Sequence, residues 1–237
     1  MKILFIYPHP DDESFGPAAV MHNLARNFHD VHLLTLTKGG ATKERLKYKY
    51  SIKKMGEVRH KEMMKVAEVL RLKSITVLDF PDGELKELDP RDIESAIKDV
   101  VLKIEPYVIV SYPVHGISGY YDHLVTHAAV KRVYTELKEK KWFLRRLAFT
   151  TVDEKTAKLS KSVKLNFSKE DEIDCVIHNE EIDLNAAHSA LDCYKTYKDV
   201  VESSGIRKLL AQPSYFEFFN ENFEQPVNDL LDKLSGN

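Results

Sequence analysis

The chain has two cysteines, one tryptophan and no excess of either charge: 35 Lys and Arg stand against 37 Asp and Glu over 237 residues, a formal net charge of -2. Two cysteines, Cys175 and Cys193, cannot build a disulfide framework, which suits a reducing, cytoplasmic setting. The balanced charge speaks against a nucleic-acid partner, since phosphate binding needs a basic surface. No apolar run approaches the roughly 20 residues of a membrane span, so no membrane partner is expected. The stretch Ile3-Leu4-Phe5-Ile6-Tyr7 is too short for the apolar region of a signal peptide and reads as a buried strand. A Gly-x-Gly-x-x-Gly after that strand and a Walker A lysine motif are both missing, which argues against a nucleotide-binding protein. Repeats, low-complexity tracts and linkers are missing too, so residues 1–237 are expected to form a single domain.

What is present alternates. Short apolar runs at Ile3 to Tyr7, Val31 to Thr37, Ile75 to Leu78 and Tyr107 to Tyr112 are separated by helical patterns at about 15–28, 58–70 and 89–104. Such alternation predicts an α/β chain: a Rossmann-like three-layer fold around a mostly parallel central sheet. The second half is less regular. Leu124 to Leu137 and Glu181 to Glu202 read as helices; Leu147 to Val152, Val163 to Phe167 and Tyr215 to Phe219 read as strands.

In open parallel sheets ligands bind beyond the carboxyl ends of the strands. The first such loop carries His9, Asp11 and Asp12, and the fourth leads to Asp122 and His123. Imidazole with carboxylate suits a borderline divalent metal such as zinc, and iron(II) binds the same donors. His9 and Asp12 supply two ligands and His123 a third, which leaves Asp11 free to take a proton from a metal-activated water. Two alternatives stand beside this reading. Asp11-Asp12-Glu13 also suits the N-terminus of a helix, and His123 with His127, one helical turn apart, forms a possible two-histidine pair.

The segment Tyr7-Pro8-His9-Pro10-Asp11-Asp12-Glu13-Ser14-Phe15-Gly16, directly after a strand, resembles the signature of the LmbE/PIG-L family of zinc-dependent N-deacetylases. Further similarities follow in order: Thr35 to Gly40, with Gly39-Gly40 in place of Gly-Glu; Glu57 to Met63; Phe80 to Leu85; Gly116 to His123; and Ala186-Ala187-His188. The resemblance covers roughly residues 1–195. It implies His9, Asp12 and His123 as zinc ligands and Asp11 as general base. It also implies Arg59 and Asp82 as hydrogen-bonding partners of sugar hydroxyls, and Asp122 as a carboxylate that orients the site, although Asp122 equally suits a helix cap. The implied partner is a small acetylated amino sugar, a GlcNAc conjugate; Tyr112 to Gly116 resembles the bacillithiol branch. Self-association is left open.

One position departs from the family pattern. Tyr120 replaces a histidine thought to stabilise the oxyanion and assist the leaving amine. A tyrosine donates a hydrogen bond but, with an ordinary pKa of about 10, shuttles protons poorly near neutrality. Either Tyr120 serves, or His115 or His188 takes over, or the chain is a non-catalytic or altered-specificity binder of metal and sugar. The basic run from Lys43 to Lys54, with Tyr48 and Tyr50, reads as a solvated lid over the site.

Overall fold

The computed structural model describes residues 1–234. Its strands and helices run β1 (Lys2–Tyr7), α1 (Asp12–Phe15), α2 (Ala18–Arg26), β2 (Asp30–Thr37), α3 (Ile52–Val69), β3 (Ser74–Phe80), α4 (Pro90–Ile104), β4 (Val108–Ser111), α5 (Tyr121–Lys138), β5 (Arg146–Thr151), α6 (Glu154–Ala157), β6 (Cys175–Ile177), α7 (Glu181–Cys193), α8 (Lys198–Ser204), α9 (Ile206–Leu210) and β7 (Ser214–Phe218).

The seven strands form one sheet in the order β3-β2-β1-β4-β5-β7-β6. β1 to β5 are parallel, and β7 and β6 extend the β5 edge antiparallel. β1 lies in the middle and shows why a parallel strand reads as an unbroken apolar run. Ile3, Phe5 and Tyr7 enter one core, with Met21, Met63, Ala187 and Leu191. Leu4 and Ile6 enter the other, with Ile93, Ile97, Val101 and Val130. Alternate side chains thus go to opposite faces, and both faces are covered. α2, α3 and α7 cover the first face; α4 and α5 cover the second. The mostly parallel α/β sheet expected from the sequence is the sheet observed.

Three segments differ from the sequence reading. Val163 to Phe167 is not a strand: Val163 and Leu165 turn into a cavity, and the outer edge is taken by the three-residue β6 instead. The helix expected over 181–202 breaks after Cys193. There Thr196 donates its backbone N–H and its hydroxyl to the two oxygens of buried Glu62, at 2.9 and 2.7 Å, which draws the chain into a short 3-10 turn before α8. α3 begins at Ile52, six residues earlier than the apolar periodicity suggests, capped by the Ser51 hydroxyl, which accepts the Lys54 N–H. Its first turn, Ile52 to Lys54, faces solvent, and the one buried apolar side chain before Val58 is Met55, too little to make a stripe.

Candidate active site

Strand order reverses direction at β1. β2 and β3 lie to one side of it, β4 and β5 to the other, so the loops leaving β1 and β4 diverge and open a crevice at their carboxyl ends. The β1 loop carries His9 and Asp11 into it and starts α1 at Asp12. The β4 loop returns through Gly116 to α5, whose first turn carries Asp122 and His123. Gly116 has a φ of +61°, and a Cβ there would lie 2.8 Å from the His123 Cβ, so only glycine lets the loop close on the histidine.

Asp12 is the centre of the arrangement. Its Oδ2 accepts the His9 backbone N–H at 2.9 Å, and its Oδ1 accepts the Tyr112 hydroxyl at 2.7 Å. One imidazole nitrogen stands 3.5 Å from each of these oxygens: His9 Nδ1 from Oδ2, and His123 Nε2 from Oδ1. The opposite nitrogen of each ring is committed elsewhere. His9 Nε2 lies 3.0 Å from Asp122 Oδ2 and 3.2 Å from Asp82 Oδ1. His123 Nδ1 donates to the Gly116 carbonyl at 3.0 Å, and the ring stacks on Tyr112 at 4.2 Å. These outer bonds turn one nitrogen of each ring toward the carboxylate, and against the cost of burial the hydrogen bonds to Asp12, Asp122 and Asp82 raise the His9 pKa well above the usual imidazole value. A proton or a cation is what such a gap accommodates, and three N and O donors of this kind suit zinc. His9, Asp82 and Asp122 form a second cluster of close donors. There, Asp122 accepts the N–H groups of Gly83 and Leu85, and Asp82 accepts that of Ala41. That second group ties the loops after β2 and β3 to α5 and steers the His9 ring.

Asp11 sits beside this centre with a φ of 89°, a left-handed conformation that costs a non-glycine residue of the order of 1–3 kcal/mol. Its N–H is held by the Tyr194 hydroxyl oxygen at 2.8 Å and Glu13 Oε2 at 3.1 Å. Its Oδ2 accepts from Arg59 Nη2 at 2.7 Å. Burial, with the charges of Asp12 and Glu13, pushes the Asp11 carboxyl up to about 7 against the opposing pull of Arg59. Asp12 goes the other way: burial works against its charge, but His123 and His9 bring it down to about 2. Two adjacent carboxylates are thereby set apart, one held ionised and one able to exchange a proton near neutrality.

All eight residues singled out in the sequence, His9, Asp11, Asp12, Arg59, Asp82, Tyr120, Asp122 and His123, line one cavity of about 660 Å3. Arg59 is turned inward, 2% exposed. It donates to Asp11, to the Pro10 carbonyl and to the Gly39 carbonyl, and its guanidinium rests 4.2 Å above the Tyr197 ring. Tyr120 stands at the mouth, 57% exposed, its ring perpendicular to that of His123. Asp122 is not the cap of α5; Tyr120 holds the N-cap position. His115 bonds Ser168 and His188 lies near Arg207, and neither lines the cavity. His127 donates to the Tyr112 carbonyl and packs on Phe149 below the site. Thr42 and Glu44, at the edge of the basic run, line the cavity, and Lys47 pairs with Asp199 at 3.0 Å. At Gly40, where the family pattern has glutamate, a Cβ would lie 2.3 Å from the Ile52 carbonyl oxygen. Sequence reasoning missed three tyrosines, Tyr112, Tyr194 and Tyr197. Tyr112 alone carries a local signal, a phenol directly after the short, mostly aliphatic β4.

Residues 4–134 match the family described as PIG-L: GlcNAc-PI de-N-acetylase. A 1D-myo-inositol 2-acetamido-2-deoxy-alpha-D-glucopyranoside deacetylase of Kineococcus radiotolerans is 29% identical over 158 residues, 55% of this chain and 44% of that protein. The chain therefore spans less than half the length of that relative. Among solved structures, a deacetylase of teicoplanin biosynthesis superposes with a TM-score of 0.72 at 13% identity, over 94% of this chain and all of that one. GalB, the 4-carboxy-2-hydroxymuconate hydratase of Pseudomonas putida, superposes with 0.71 at 12% identity, over 95% of this chain and 99% of that one. The two structures share the fold and differ in reaction, so the chemistry of this chain has to be argued from its own side chains.

Proposed function

The chain belongs to the PIG-L family of de-N-acetylases, and on that premise we propose that it hydrolyses the amide of an N-acetylated amino sugar, with a zinc ion, or iron(II), held by His9, Asp12 and His123. One observation carries the reading: two imidazole nitrogens, brought from separate loops, face the two oxygens of one buried carboxylate, with Asp11 alongside at the cavity wall. When bound, the metal polarises the acyl carbonyl and acidifies a water.

The chain's own groups supply the rest. Asp11 Oδ2 is fixed by Arg59, so Oδ1 takes the proton of the attacking water. As the C–N bond breaks, the same oxygen passes that proton to the departing nitrogen, which leaves as the neutral amine. The Tyr120 hydroxyl donates to the carbonyl oxygen as negative charge develops there. Asp82 borders the cavity and accepts from sugar hydroxyls. Arg59 lines the same cavity, and three of its five N–H groups have protein acceptors, among them Asp11, which it holds in place. His9 is held in place by Asp122.

The test is acetate release from N-acetylglucosamine and simple conjugates, with metal content measured on the same sample. Bound zinc or iron with chelator-sensitive release is the expected result. Protein that purifies without metal and gains none on titration would remove His9, Asp12 and His123 from the assignment.

A further inference from the structure

Asp11 carries a left-handed φ of 89°, a conformation that a residue with a Cβ keeps only where its surroundings hold it. The hold is on its backbone N–H, which the Tyr194 hydroxyl oxygen accepts at 2.8 Å and Glu13 Oε2 at 3.1 Å. The two acceptors are joined to each other, since the Tyr194 hydroxyl donates to Glu13 Oε1 at 2.7 Å. The Ser14 hydroxyl donates to the same oxygen, also at 2.7 Å. Asp11, Glu13 and Tyr194 thus close a small ring of hydrogen bonds, and both Glu13 and Tyr194 are buried.

The ring is made of costly parts. The donors to Glu13 are neutral, and the charge beside it, that of Asp12, has its own sign. A carboxyl group buried on those terms is no gain to the fold. Neither Glu13 nor Tyr194 lines the cavity, so neither meets a substrate there. What the pair reaches is Asp11.

Tyr194 arrives from far away. It directly follows α7, 183 positions along the chain, beyond the residues that match the family. The turn it begins is fastened to the same wall of the site. Thr196 bonds both oxygens of Glu62, and the Tyr197 ring lies 4.2 Å from the Arg59 guanidinium. Arg59 in turn holds Asp11 Oδ2. One turn therefore backs both points at which Asp11 is fixed, its N–H and its Oδ2, and Oδ1 is left for proton transfer.

We propose that Tyr194, acting with Glu13, is a positioning residue for the general base: it locks the Asp11 backbone in its left-handed conformation and so aims Oδ1 at the attacking water. The inference rests on the amide hydrolysis proposed above and adds no chemical step to it.

The experiment is a mutant cycle on the metal-loaded chain, with N-acetylglucosamine as substrate: Tyr194→Phe, Asp11→Asn and the two combined. Tyr194→Phe keeps the ring and its packing and removes both hydroxyl bonds. Misplacing a reacting group by about 1 Å costs about 100-fold, so kcat should fall about 10- to 100-fold, with KM and metal stoichiometry unchanged. Added to Asp11→Asn, the same change should cost less than about twofold, because the base it positions is gone. Glu13→Gln turns an amide NH2 on either the Asp11 N–H or the Tyr194 hydroxyl and should show the same pattern in both backgrounds. Undiminished kcat in Tyr194→Phe overturns the proposal. So does an equal loss with and without Asp11, the mark of a purely structural role.

Hydrogen exchange at the Asp11 amide, read by NMR, separates this inference from the reading beneath it. Tyr194→Phe should speed that exchange at least about tenfold and leave the amides of β1 unchanged. If the unaltered chain cleaves no amide and the exchange still responds, hydrolysis fails and the hold on Asp11 stands. If amides are cleaved and either the exchange or the cycle fails to respond, the hold fails and hydrolysis stands.

Discussion

Two arginines are almost completely buried, Arg59 in α3 and Arg146 at the start of β5, and they are built alike. Each pairs with one carboxylate at 2.7 Å, Asp11 for Arg59 and Glu221 for Arg146. Each also donates to two backbone carbonyls and lies about one ring thickness from an aromatic face, Tyr197 at 4.2 Å and Phe218 at 4.0 Å. They differ in closure. Arg146 binds Glu221 through both Nε and Nη2, and its Nη1 reaches the Leu230 and Asp232 carbonyls. Every nitrogen is used, and the group fastens the C-terminal segment to the sheet. Arg59 keeps a buried Nε with no acceptor, and its carboxylate partner borders the cavity. A saturated buried pair is construction; an unsaturated one that opens on a cavity holds a reactive group in position.

The comparison breaks first at Asp11. Asp11→Asn keeps the shape and the Arg59 contact but removes the base, so kcat for acetamide hydrolysis should fall about 100- to 10,000-fold with metal stoichiometry unchanged. Full activity in a metal-replete variant would end the general-base role. The next largest effect is on stability. Arg146→Met leaves Glu221 without its partner, and losing one member of a buried pair costs about 3–5 kcal/mol, read as a lower denaturant midpoint with kcat retained in the folded fraction. Arg59→Met should show the reverse balance, a smaller loss of stability, because Arg59 holds Asp11 by one bond where Arg146 holds Glu221 by two, and a larger loss of kcat, partly recovered in Arg59→Lys. If both arginine variants lose stability equally and kcat not at all, Arg59 is construction too.

The contrast also marks what the sequence could disclose. β1 was legible because burial on both faces leaves a continuous apolar run, and His9, Asp11 and Asp12 because the four-residue loop after β1 and the first residue of α1 hold them. Asp122 and His123 were legible as neighbours at a helix start. The inward turn of Arg59 was not, since it depends on the Gly39 and Pro10 carbonyls and on Tyr197, 138 positions along the chain and on another element. Tyr194 is equally remote from the Asp11 N–H that it holds. The alternation of Val163 and Leu165 resembled a strand because period two marks any segment with one apolar side, and here that side faces a cavity rather than a sheet core. β6 was missed because three residues carry too little pattern.

A smaller effect belongs to Asp122, which joins the two regions of the site by binding His9 Nε2 and the N–H groups of Gly83 and Leu85. Asp122→Asn should weaken metal affinity about 10- to 100-fold, measured by competition with a chelator of known affinity, while all three proposed ligands remain. Unchanged affinity would show that His9 needs no help to hold its orientation.

The smallest effect expected is at Tyr120, and its size decides between two ways of handling the oxyanion. A fully enclosed oxyanion donor is worth about 100- to 1000-fold in kcat. Tyr120 is more than half exposed and its hydroxyl stands at the mouth of the cavity, where water competes with it and screens the charge. Tyr120→Phe should therefore reduce kcat only about tenfold, with KM little changed because the bond strengthens in the transition state rather than in the substrate complex. A loss of 100-fold or more would mean that substrate closes the mouth and dries the hydroxyl. No loss at all would leave the oxyanion to the metal, and Tyr120 to its observed structural place at the head of α5, perpendicular to the His123 ring.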